Sequence, residues 1–109
     1  MNEKNFTIEF NNEVDDVKKS ENKYYTLAVD RINILAEGHN DISGGMVNFK
    51  KPAKEHQTAY IYEVTIVLYM GSDHIAATEK GELFQSTLDG ALDAVERQVH
   101  ERRKQQRNY

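Results

Sequence analysis

The stretch Tyr60-Ile61-Tyr62-Glu63-Val64-Thr65-Ile66-Val67-Leu68-Tyr69-Met70 decides the fold. Successive strand residues point to opposite faces of a sheet. Tyr60, Tyr62, Val64, Ile66, Leu68 and Met70 fall on one face, and Ile61, Glu63, Thr65, Val67 and Tyr69 on the other. Apolar character on much of both faces predicts a strand inside a sheet rather than at its edge. Gly71-Ser72-Asp73 is a tight-turn signal, and His74–Thr78 returns as the partner of a hairpin.

Upstream, Met46–Lys50 has the alternation of a short strand, which Lys51-Pro52 is expected to end because proline cannot donate to a ladder. Ser43-Gly44-Gly45 reads as loop, and Ala53–Thr58 as a polar connection. Before that, Val14, Val17, Tyr24, Tyr25, Ala28, Ile32 and Leu35 recur every three or four residues, which predicts an amphipathic helix over roughly Glu13–Glu37 that stops at Gly38. Phe6, Ile8 and Phe10 alternate over Asn5–Phe10, predicting a first strand that Asn11-Asn12 breaks.

Downstream, Glu79–Glu82 reads as a turn. Phe84, Leu88, Ala91, Leu92, Val95 and Val99 then mark a second amphipathic helix, roughly Leu83 to Gln105. The order is β-α-β-β-β-α. Two helices with one apolar stripe each and four strands bury those surfaces most simply as an α+β two-layer sandwich, with both helices on one face of the sheet. At 109 residues the whole chain is expected to be one domain.

Composition narrows the chemistry. The chain has no cysteine, which removes disulfides, thiolate metal sites and cysteine nucleophiles. No apolar run approaches the roughly 20 residues that span a bilayer, and Met1-Asn2-Glu3-Lys4-Asn5 lacks the basic and apolar parts of a signal peptide. The expected compartment is the cytoplasm. His39, His56, His74 and His100 lie at no metal-binding spacing, and each reads as a surface histidine. Asp89 and Asp93 sit on successive helical turns, but nothing organises them for acid–base work. The residues therefore name no catalytic group, metal ligand or cofactor, and an enzyme is not expected. The tyrosines fall mostly on apolar phases and read as core residues with hydroxyls at the rim.

Charge is the informative property. Residues 97–107 carry Arg97, Arg102, Arg103, Lys104 and Arg107 against Glu101, so this segment is +4 and, with −4 overall, the remainder is −8. Such polarity orients a protein on a polyanion. The arginine fork suits bidentate contact with phosphate. The same cations also complement the negative end of a helix dipole, a purely structural role that composition alone does not distinguish. Lys18, Lys19, Lys23 and Arg31 on the first helix add a weaker basic edge, diluted by Glu13, Asp15, Asp16 and Glu21. Lys50, Lys51 and Lys54 form a third, loop-borne group.

Three phrases carry a family resemblance: Tyr62-Glu63-Val64-Thr65-Ile66-Val67-Leu68, Ile75-Ala76-Ala77, and Asp89-Gly90-Ala91-Leu92-Asp93-Ala94-Val95-Glu96-Arg97-Gln98-Val99. Together they resemble the ribosome hibernation-promoting factors, which include the ribosome-associated inhibitor protein Y and proteins labelled sigma-54 modulation proteins. The chain is similar to the short form of that family. The resemblance implies a β-α-β-β-β-α fold and binding to 16S rRNA of the small ribosomal subunit, in the channel used by mRNA and tRNA. It implies translation inhibition and ribosome preservation under stress, with no small-molecule substrate and no membrane partner. Carried onto this chain, rRNA contact falls on Arg97, Arg102, Arg103, Lys104 and Arg107, and further on Lys18, Lys19, Lys23 and Arg31. Family members usually open the second helix with Asp-x-Tyr, where this chain has Leu83-Phe84-Gln85, and their first helix is more basic. The alternative is a protein-binding regulator that keeps the fold without rRNA binding; a small enzyme or ligand binder built on Asp89/Asp93 or the histidines is the third reading.

Overall fold

A computed structural model describes residues 7–13, 21–39, 41–55 and 59–107. Within them the elements run β1 (Thr7–Asn12), α1 (Glu21–Gly38), β2 (Ile42–Glu55), β3 (Ala59–Met70), β4 (Asp73–Gly81) and α2 (Phe84–Arg107). This is the expected α+β order. The strands form one mixed sheet in the order β1-β2-β3-β4, with β1 parallel to β2 and the other pairs antiparallel.

β3 is an interior strand, as its two-sided apolar character predicts. Its face bearing Val64, Ile66, Leu68 and Met70 is buried, and register aligns it with Val47 and Phe49 of β2. Ala28, Ile32, Leu35 and Ala36 of α1 and Phe84, Leu88, Ala91, Leu92, Val95 and Val99 of α2 complete the same core, so the α2 stripe and the described part of the α1 stripe pack where the periodicity places them, Val14 and Val17 lying outside the described residues. Phe49 stands edge-on to Phe10 and Phe84, with centroids 4.9 and 4.7 Å away. Such aromatic pairs add about 0.5–1.5 kcal/mol beyond their buried area. Tyr24, Tyr25 and Tyr62 are half-buried around this cluster, whereas Tyr69 is exposed on the other face of the sheet.

Several boundaries differ from the sequence expectation. Ser43-Gly44-Gly45 is not loop: it is the first part of β2, wedged between β1 and β3. A Cβ at Gly45 would lie 3.0 Å from the Val67 carbonyl oxygen and 3.2 Å from Leu68 Cδ2, so glycine here permits close approach rather than a turn. Lys51-Pro52 does not end β2 either. The register steps from Lys50↔Glu63 to Ala53↔Ile61, which leaves an extra residue in β2, and a bulge is where a strand tolerates proline. Ala53–Glu55 is thus strand, not connection. Asn11-Asn12 continues β1 beside Asn48 and Phe49, and Glu79–Gly81 continues β4, because in each case a neighbouring strand supplies the ladder. Glu13 is not helical; its amide donates to the Phe49 carbonyl at 2.8 Å. The expected helix start over 14–20 lies outside the described residues. At the β3–β4 turn Gly71 adopts φ 65°, the positive value that a primed two-residue hairpin requires at its first position.

Candidate nucleic-acid interface

Three contacts set the direction of the helices relative to each other. Tyr24 stacks edge-on against Phe84 at 4.8 Å, Arg31 reaches Asp93 at 2.8 Å, and the His39 and His100 rings lie 5.6 Å apart. Both residue series rise together, so α1 and α2 run parallel. Their C-terminal, dipole-negative ends lie at the same end of the layer. α2 continues to Arg107, past the His39–His100 contact and therefore past the end of α1.

This geometry separates the predicted basic residues. Arg97, Arg102, Arg103, Lys104 and Arg107 occupy the last three turns of α2. Arg97 is exposed and Arg102 half-buried. Lys23 sits in the first turn of α1, with its ammonium 5.6 Å from the Tyr24 ring centroid, beside the opposite end of α2. From Phe84 to Arg102 the axial distance is ~27 Å at about 1.5 Å per residue. Lys23 therefore does not join the arginine-rich end into one edge. Lys18 and Lys19 lie outside the described residues, as do the side chains of Lys51 and Lys54; Lys50 is exposed on β2.

Among the described residues, Arg31 and Arg102 have carboxylate partners, and the side chains of Arg103, Lys104 and Arg107 lie outside them. Arg31 Nη2 donates to Asp93 Oδ1 at 2.8 Å and to Glu96 Oε1 at 3.4 Å, bridging α1 to α2. Burial by itself would lower the Arg31 pKa, but the bond it donates to Asp93 and the charges of Glu96 and Asp93 outweigh it and raise the value. Arg102 Nη2 lies 2.8 Å from Asp73 Oδ2, tying the end of α2 to the β3–β4 hairpin. Asp73 also accepts from the His74 amide at 2.8 Å; that bond, with the bond and charge of Arg102, holds its carboxyl below the ordinary range. Sequence reasoning placed Arg31 and Arg102 among phosphate contacts without seeing these partners, which lie far away in the chain. Both pairs remain partly solvent-exposed, with side-chain exposures of 31% and 64% for Arg31 and Asp93, and 33% and 54% for Arg102 and Asp73. Solvent-exposed pairs of this kind contribute little to stability and are exchangeable for an incoming phosphate.

Asp89 is half-buried and Asp93 is engaged by Arg31. Among the described residues no group of three histidines or carboxylates is placed to hold a metal ion. An open cleft at the β4–α2 corner is lined by Glu79, Lys80, Gly81, Glu82, Leu83, Ser86 and Thr87. No described helix is long and apolar enough to cross a membrane.

The sequence matches the family model for sigma 54 modulation protein / S30EA ribosomal protein over residues 9–107. The chain belongs to that family. The match to the S30EA family spans every described element from within β1 to the end of α2. The S30EA chain is also similar in fold to a ribosomal subunit interface protein from Coxiella burnetii, with a TM-score of 0.69 and 13% identity over 90% of this chain and 98% of that one. No curated protein matches the sequence.

Proposed function

We infer that this chain is a ribosome-associated translation inhibitor of the hibernation-factor type. It binds rRNA of the small subunit through the arginine-rich end of α2, occupies the mRNA–tRNA channel, and keeps the subunit idle in the cytoplasm. The observation that carries this reading is the extension of α2 beyond α1, with five basic residues in its last three turns, on a member of the S30EA family. A helix end of this kind suits the deep, phosphate-lined surface of folded RNA, which is recognised by shape and backbone rather than by base edges. Arg102 exchanges Asp73 for a phosphate at small cost, because its pair is exposed. No step of chemistry is involved: occupancy is the function.

The test is charge reversal at Arg97 and Arg103. The double variant Arg97→Glu/Arg103→Glu is expected to lose co-sedimentation with purified small subunits at near-physiological salt while its melting temperature stays within a few degrees. Undiminished co-sedimentation contradicts the assignment. Arg31 and Arg102 being engaged by carboxylates is also what a protein-binding regulator would show; such a regulator stays in the supernatant with or without the substitutions.

A further inference from the structure

His39 and His100 each read as a separate surface histidine in the sequence, yet the fold brings their rings to 5.6 Å with planes inclined by 45°. His39 follows the last residue of α1 and is half-buried; His100 is exposed on α2. Residues three and four apart share a helix face, so positions 97, 103 and 104 flank His100 along α2. The histidine pair therefore lies within the arginine-rich end of α2, at the point where α1 stops.

We propose that His39 and His100 are two further phosphate-binding residues of the RNA interface, which engage RNA only when protonated. Imidazole changes charge within the physiological range, unlike every other side chain in its ordinary state. Neutral, the two rings pack against each other and add nothing to the field at this end. Protonated, they add up to two positive charges beside Arg97, at the joint C-terminal ends of both helices, where cations are favoured. The two cations repel one another at this separation, and a phosphate that accepts from the N–H groups of both rings relieves that repulsion, so RNA and protons bind cooperatively.

The surrounding charges are mixed and do not remove the effect. On α1 the nearby carboxylate is Glu37, and at the start of the following strand it is Asp41. On α2 they are Glu96, which accepts from Arg31, and Glu101, alongside the cations Arg97 and Arg102. On β4, Asp73 is held by Arg102 and His74 neighbours it. Glu96 and Asp73 are thus engaged by arginines, and protonation of the histidines shifts the balance of this end towards positive.

This inference rests on the RNA-binding reading, and one experiment separates their failures. Binding of purified small subunits is measured at about pH 8 and about pH 6 at constant ionic strength. The chain is compared with His39→Gln/His100→Gln and with the control His74→Gln. One or two added phosphate contacts correspond to an affinity gain of roughly three- to tenfold on acidification. The intact chain and the His74→Gln control are expected to show it, and the double variant to lose most of it while matching the intact chain at about pH 8. Thermal melts of all three at both pH values register any loss of fold. If the double variant keeps the full acid response, or the intact chain binds without one, the histidine pair is not an RNA contact though the interface stands. If no form binds subunits at either pH, both readings fall.

Discussion

Arg31 Nη2 and Asp93 Oδ1, 62 residues apart in sequence, meet at 2.8 Å and clip the middle of α1 to the middle of α2. Glu96 takes a second, longer contact at 3.4 Å. One cation in the midsection of the helical layer thus faces two carboxylates, whereas the basic positions 102, 103, 104 and 107 lie where α2 runs beyond α1. The polarity visible in the composition becomes a spatial polarity along one helix.

Removing the carboxylates releases Arg31. The variant Asp93→Asn/Glu96→Gln is expected to bind small subunits roughly threefold more tightly, in line with one added phosphate contact. Because the pair is exposed, unfolding in urea should show a loss of no more than about 1 kcal/mol. Unchanged or weaker binding would place Arg31 outside the interface.

The Asp73 carboxylate, held by the His74 amide and then by Arg102, predicts an acid dependence of stability. The folded carboxyl of Asp73 lies below its ordinary value of 3.8, so the unfolded chain takes up that proton first as pH falls. The stabilisation is present above that value and disappears as pH drops through the folded one. Melting temperatures of the intact chain and Asp73→Asn should therefore differ at about pH 6, and the difference should shrink as pH falls below 3.8. A difference that persists or grows in acid would assign the effect to other groups.

Gly81 and Thr87 form a tight corner between β4 and α2. A Cβ at Gly81 would stand 2.5 Å from Thr87 Oγ1, and that hydroxyl is held by donation to the Leu83 carbonyl at 2.7 Å. Thr87 is buried and β-branched, so it has little freedom to move. Gly81→Ala is expected to cost about 1–3 kcal/mol by overpacking. Adding Thr87→Ala removes the opposing atoms, so the double variant should be less destabilised than the sum of the two singles, measured as a denaturant cycle.

Phe49 is fully buried and touches both Phe10 and Phe84, linking β1, β2 and α2. Phe49→Ala is expected to cost about 3–5 kcal/mol, a large part of the stability of a domain this size. Chemical denaturation checks it, and a loss below about 1 kcal/mol would mean the aromatic cluster is not the centre of the core.

Much of the fold was legible because the strongest patterns belong to surfaces with one partner. Val64, Ile66, Leu68 and Met70 alternate because one face of β3 meets the helices, and Leu88, Leu92, Val95 and Val99 repeat because one face of α2 meets the sheet. Gly44, Gly45 and Pro52 misled, since each is a breaker in isolation; neighbouring strands and a bulge absorb them here. The site was legible as a list of cations but not as an arrangement. The parallel helices that part Lys23 from Arg102 follow from element order, since each helix runs back against the strand before it. The partners of Arg31 and Arg102 do not, because Asp93 and Asp73 join them only through tertiary packing.

The most direct measurement is co-sedimentation of the intact chain with purified small ribosomal subunits across a salt series. If the basic residues at 97, 102, 103, 104 and 107 grip phosphates, the logarithm of the binding constant falls with the logarithm of salt at a slope of about −4. A slope near zero, or a chain that stays in the supernatant at the lowest salt, contradicts the account.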